Sequence, residues 1–155
     1  MLSFSPLIIQ SAFSMSIHAS VFVKMMDSSM KSDDEGWSQS KRDQYALLAM
    51  AGLGVGEIIG SIVYGRINDK FPIGVTIVAN VLGSLLAFAV LIAYAIKYDF
   101  NLALSFPVTL TWGLQDSGLN NLINSVLGFQ FDSKTTPFSV NKFVQSICIC
   151  LIMAF

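Results

Sequence analysis

Residues 45–98 read YALLAMAGLGVGEIIGSIVYGRI (45–67), NDKFP (68–72) and IGVTIVANVLGSLLAFAVLIAYAIKY (73–98). Each apolar run is longer than the roughly 20 residues that a helix needs to cross a hydrocarbon core, and only Asn68 to Pro72 separates the two. Helices joined so tightly are expected to be antiparallel neighbours. The rest of the chain has a composition to match: of 155 residues, 54 % are hydrophobic and only 12 % charged, and the mean hydropathy is +0.64. A soluble domain of this size needs more charge to cover its surface. A formal net charge of -1 without a basic stripe excludes a polyanion-binding face, so no nucleic acid is expected as a partner.

Working outward from these two runs, the same reading adds three more. A first span, residues 2–23, is diluted by Ser3, Ser5, Gln10, Ser11, Ser14, Ser16, His18 and Ser20 and is expected to pack inside a bundle. A secretory signal is the rival for this stretch, although no Lys or Arg precedes the apolar run. Residues 24–44 turn to Ser, Asp, Glu and Lys and read as an aqueous loop; Asp33, Asp34 and Glu35 read as a solvated acidic run, because adjacent carboxylates lack the spaced oxygens of a calcium loop. Ser40 with Asp43 three residues on is a start signal for the next helix. After residues 45–67 and 73–98 come a polar-rich fourth span, 102–131, in which Pro107 is a kink signal, and a fifth, 139–155. Beyond Lys142 only 13 residues remain, about 20 Å of helix against a core about 30 Å thick, so a fragment or truncated product is expected. The fold class is therefore all-α: a polytopic transmembrane helix bundle of about five spans in one domain, residues 1–155, integral to a membrane and multi-pass.

Ionisable groups inside spans are expensive and are read first as functional. His18, Glu57 and Asp116 are the three placed deep by this reading. Asp116, Asn120 and Asn124 are spaced i, i+4, i+8 and form one polar ridge, and Ser117, Asn121 and Ser125 repeat that spacing on the ridge beside it. Such a face either lines a solute or ion path or forms an interhelical hydrogen-bond seam, and the residues alone leave both open. Gly52, Gly56 and Gly60 make a bare stripe on which a neighbouring helix can approach, with Glu57 and Ser61 about 100° round from it. His18 reads as a hydrogen-bonded core histidine or a proton relay.

No enzyme site emerges: there is one His, no nucleophile elbow, and no glycine-rich phosphate loop after a strand. Cys148 and Cys150 lie two apart in an apolar helix, about 200° round from each other, and read as small hydrophobes; no metal and no cofactor are expected.

The turn Gly65-Arg66-Ile67-Asn68-Asp69-Lys70-Phe71-Pro72 resembles the Gly-x-x-x-Asp-(Arg/Lys) signature between paired helices of the major facilitator superfamily. Pro72 stands where that family often has Gly. Trp112-Gly-Leu-Gln-Asp116-Ser-Gly-Leu-Asn120, continuing to Gly128, resembles a pattern of the ion-channel-regulatory Unc branch, with Asn121 and Leu122 in place of its usual Thr and Gln. The resemblance implies that the five spans correspond to helices seven to eleven of a twelve-helix fold, with the Asn68 to Pro72 turn cytoplasmic. Charge does not test that orientation, because Arg66, Lys70, Lys134 and Lys142 on one side are balanced by Lys24, Lys31, Lys41, Arg42 and Lys97 on the other. It implies a secondary transporter of a small solute or ion, in which Asp116, Asn120 and Asn124 line the path, Glu57 and His18 couple protons, and the turn residues Gly65, Arg66, Asp69 and Lys70 act as a conformational switch. In that switch Gly65 permits close helix approach and Arg66 or Lys70 pairs with Asp69. The alternative is a non-transporting Unc-like adaptor that regulates a membrane protein partner, or a non-functional relic.

Overall fold

The computed structural model describes residues 5–32, 38–97, 101–130 and 135–154, and all the regular structure in them is helical. α1 (Ser5–Ser16) passes through a π-helical segment (Ile17–Phe22) into α2 (Val23–Ser32); then follow α3 (Gln39–Lys70), α4 (Ile73–Lys97), α5 (Leu102–Gln130) and α6 (Thr135–Ala154). The helix boundaries are set by ordinary end chemistry. Ser38, not Ser40, caps α3: its carbonyl accepts from Lys41 and Arg42 N–H at 3.1 Å each, and its hydroxyl accepts from Lys41 at 3.4 Å. Asp43 instead accepts from Gln39 one turn earlier, at 3.0 Å. Pro72 ends α3, because it forces Phe71 into an extended conformation (φ -122°, ψ 154°). Asn101 opens α5 with its side chain on Ala103 N–H at 2.9 Å and its carbonyl on Leu104 and Ser105. α5 then continues through Pro107 without interruption.

These boundaries correct several expectations. Residues 24–32 and 39–44 are helical rather than loop, and Arg42 of α3 pairs with Asp27 of α2 at 3.8 Å; the acidic run Asp33 to Glu35 lies outside the described residues. The turn after α3 shrinks to Phe71 and Pro72, so Asn68, Asp69 and Lys70 belong to the last helical turn. α6 begins at Thr135, ahead of the expected start near Ser139, and has 20 residues, about 30 Å of helix.

The sequence neighbours α3 and α4 touch chiefly around Tyr64, whose hydroxyl donates to Ala79 O at 3.3 Å, whereas α3 packs along its length on α5. The glycine stripe makes that possible. A Cβ at Gly56 would strike Leu110 O and come within 3.0 Å of Leu114 N, and one at Gly60 would lie 2.8 Å from Leu114 O. From the other side, a Cβ at Gly113 would strike Leu53 O. Pairs across this seam rise together in number, Ala49 with Thr109, Ser61 with Ser117 and Asn68 with Ser125, so α3 and α5 run parallel. Ser14 meets Gln115 while Leu7 packs on the Leu119, Ile123 and Leu127 cluster further along α5, so α1 is antiparallel to α5; Phe138 packs on that same cluster and Gln145 meets Ser11, so α1 and α6 run parallel.

The surface is inverted relative to a water-soluble fold. α4 buries Thr76, Asn80 and Ser84 in line with Ala87, Leu91 and Tyr94, while Ile77, Val78, Val81, Leu82, Leu85 and Leu86 are exposed. α3 likewise exposes Leu47, Leu48, Ile58 and Ile62. Among the described residues, α3 and α4 are the two helices long and apolar enough to cross a membrane. α5, at 29 residues, has the length, but Gln115, Asp116, Asn120, Asn121 and Asn124 dilute its hydropathy.

Candidate functional site

The two polar ridges of α5 have different fates. The ridge Ser117, Asn121, Ser125 is a seam with α3: Ser117 and Ser61 hydroxyls lie 2.8 Å apart, Asn121 donates to Ser61 O at 3.5 Å, and Asn68 donates to Ser125 Oγ at 3.1 Å. Each interhelical hydrogen bond of this type contributes about 0.6 kcal/mol in a membrane protein, so the ridge holds the bundle together.

The ridge Asp116, Asn120, Asn124 does not act as one unit. Asn120 Nδ2 donates to both the main-chain oxygen and Oδ2 of Asp116, at 3.0 Å each. Asn124, one turn further, is exposed on the surface of the bundle and does not reach Asp116. Asp116 itself is 5 % exposed, and its Oδ1 has no hydrogen-bond partner.

Asp116 lines a cavity of about 190 Å³ together with His18, Glu57, Trp112, Met15, Met50, Leu53 and Ile149. Three residues from three helical segments, His18, Glu57 and Asp116, are thus brought to one space. His18 stands in the π-helical segment, where the extra residue per turn redirects side chains and where functional sites recur. Its ring stacks on Phe22 at 5.3 Å and tilts against Trp112 at 5.9 Å; Phe22 continues to Tyr94 at 5.6 Å, and Phe88 meets Trp112 edge-on at 5.3 Å. His18 and Trp112 are 4 % and 2 % exposed, yet His18 Nε2 and Trp112 Nε1 are both without partners. A buried polar atom left unpaired costs about 1–3 kcal/mol; all three have almost no accessible surface and so lie behind the cavity wall, which is itself nearly all apolar. Glu57, on the same lining, is half-buried and makes no hydrogen bond among the described residues.

Polar groups that sequence reasoning passed over complete the surroundings. Ser14 donates to Gln115 at 3.0 Å, Gln145 donates to Ser11 at 2.8 Å, and Lys142 donates to Gln145 at 3.0 Å. Lys142 and Glu57 are the charged groups acting on Asp116. With α6 placed to start near Ser139, Lys142 read as a terminal residue; a start at Thr135 puts it two turns inside the helix. The spacing Asn141, Gln145 at i, i+4 was the available signal for a buried polar face on α6, and both are buried.

The contacts expected around the turn are not made in this structure. A Cβ at Gly65 would meet nothing within 4 Å, so no helix approaches there. Arg66, Asp69 and Lys70 are exposed, and among the described residues no ion pair joins Asp69 to Arg66 or Lys70. Lys70, in the last turn of α3, is placed to favour the negative helix end. Cys148 and Cys150 are free thiols, half-buried and exposed respectively. Among the described residues no three His, Cys, Asp or Glu side chains come together as a set that would hold one metal ion. No family model, no curated protein and no solved structure matches the chain.

Proposed function

We propose that the chain is a polytopic membrane bundle of about five spans, of the major facilitator type and similar to its Unc branch, and that it serves in secondary transport of a small solute or ion across a membrane. The observation that carries this reading is the convergence of His18, Glu57 and Asp116 on the lining of one cavity, in a bundle whose outer face is apolar. Buried ionisable groups facing an internal space are what a transport path requires. Two features support the span count. The helices alternate in direction along the chain, as successive crossings must, and α6 at about 30 Å matches the core thickness. The cavity, at about 190 Å³, is below the 300–1,000 Å³ usual for drug-sized ligands, which suits a small solute.

Asp116 is the central residue: Asn120 holds one carboxylate oxygen, and the other is buried without a partner. His18 and Glu57 are the further groups on the path. The adaptor reading, in which the bundle binds and regulates a membrane protein, has one observation in its favour, the exposed Asn124 at the surface end of the ridge. The test is flux in vesicles reconstituted with the protein and loaded with a pH-sensitive dye, challenged with a panel of small charged and neutral solutes. A solute-driven signal that disappears in Asp116→Asn, with the variant still folded, supports transport. Flux equal to wild type in that variant removes Asp116 from the path, and silence across the panel for wild type favours the adaptor.

A further inference from the structure

We infer that the open face of α5, between α3 and α6, is where two copies of this chain pair side by side, related by a two-fold axis along the bundle. The inference rests on the membrane-spanning reading above and not on transport.

The face is polar at a depth where lipid offers no partner. Asp116 is the middle residue of α5 (Leu102–Gln130). Asn124 lies two turns on, about 12 Å away, still within half of a core about 30 Å thick. A Cβ at Gly113 would lie 2.9 Å from Glu57 N, which puts Glu57 of α3 at the same level. On α6, Lys142 falls between Phe138, packed on the Leu119, Ile123 and Leu127 cluster, and Gln145, which donates to Ser11. Lys142 is also two turns before Ile149 on one side of α6, and Ile149 lines the cavity with Glu57 and Asp116. Lys142 and Asn124 are exposed, and Glu57 and Asn120 half-buried. Elsewhere the exposed side chains are of the kind of Ile58, Ile62, Leu82 and Leu85, which suit acyl chains. Ionisable side chains inside a span face protein or a cavity and not lipid, so this polar strip is the place where a further bundle docks.

Charge identifies the occupant as a second copy. The α3 edge of the strip carries an acid, Glu57, and the α6 edge a base, Lys142. Both act electrostatically on Asp116 between them, and no ion pair joins the two among the described residues. Lys142 gives one donor to Gln145 at 3.0 Å, and an ammonium has three. Rotation by half a turn about an axis parallel to the helices sets the acid edge of each copy against the base edge of the other, so one face makes two ion pairs. Near the axis Asn124 meets Asn124, and an amide, which both donates and accepts, pairs with its own kind. A purely acidic or purely basic partner would instead set like charges together at one edge.

The experiment is energy transfer between donor- and acceptor-labelled copies of the full chain in lipid vesicles, followed as lipid dilutes the protein. Wild type should show saturable transfer. Glu57→Lys alone, which sets lysine against lysine, and Lys142→Glu alone, which sets acid against acid, should each weaken pairing at least about tenfold. Donor-labelled Glu57→Lys mixed with acceptor-labelled Lys142→Glu should recover it, because both edges of that mixed pair are again complementary. Recovery in the mixture also shows that the two variants fold. Wild-type transfer no greater than that of a monomeric membrane protein, undiminished transfer in both single variants, or no recovery between variants that circular dichroism shows to be folded overturns the pairing. Alkaline carbonate extraction of the same vesicles separates the two readings: a chain that is stripped off removes the membrane spans, and a resistant monomer removes only the pairing.

Discussion

Replacing Gly56 by alanine puts a methyl group where α5 already stands. The new Cβ would collide with Leu110 O and approach Leu110 C and Leu114 N to 3.0 Å, and all three are main-chain atoms that cannot rotate away. Overpacking of a close-packed interior costs about 1–3 kcal/mol, and with backbone as the obstacle the upper end, about 3 kcal/mol, applies. Alanine returns about 1 kcal/mol of helix propensity relative to glycine. The net loss is about 2 kcal/mol, a roughly 30-fold shift in the ratio of folded to unfolded protein. Gly54 is the internal control, two residues away on the same helix, with nothing within 4 Å of a Cβ there. Gly54→Ala should be neutral or stabilising by up to about 1 kcal/mol, so the two variants should differ by about 2–3 kcal/mol. Unfolding by SDS titration in mixed micelles, followed by far-UV circular dichroism, measures both. Equal stabilities for the two variants would refute the close contact of α3 and α5 on the glycine stripe.

Two further predictions concern the ridges of α5. A double-mutant cycle of Ser61→Ala and Ser117→Ala should give a coupling energy of about 0.6 kcal/mol in the same unfolding assay, whereas Ser61→Ala paired with Asn124→Ala should be additive. Asn120→Ala should cost about 1–3 kcal/mol by leaving Asp116 Oδ2 without its partner, while Asn124→Ala should stay within about 0.5 kcal/mol of wild type, and equal costs for the two would put Asn124 back on a shared ridge.

Helical periodicity and composition made much of this legible in advance. The i, i+4 spacing of Gly52, Gly56 and Gly60 announced a close helix contact, and it occurs. The same spacing correctly placed Asp116 with Asn120. Gly65 shows the limit of that reasoning, since a glycine before a turn marks permission for close approach, and no partner arrives there. The boundaries of the second and fifth predicted spans were also displaced, because polar residues such as Gln39, Lys41 and Thr136 are compatible with helix ends that protrude beyond the apolar run.

What the sequence by itself determined was the set of long helices but not α2, the apolar outer faces of α3 and α4, and the identity of three ionisable residues that an apolar setting does not tolerate without purpose. These follow from local chemistry: hydropathy, capping and the 3.6-residue turn. Only the tertiary structure decided which ridge of α5 is a seam, and that Asp116 is the member of the other ridge that lines the cavity. The docking of the glycine stripe of α3 onto Phe106 to Ser117 of α5 fixes the rotation of both helices about their axes, turning Ser117 to Ser61 and leaving Asp116 toward α1 and α6. The π-helical segment then aims His18 at the same space. Such rotations depend on contacts between residues about 60 positions apart, as between Ala49 and Thr109, and no local pattern encodes them.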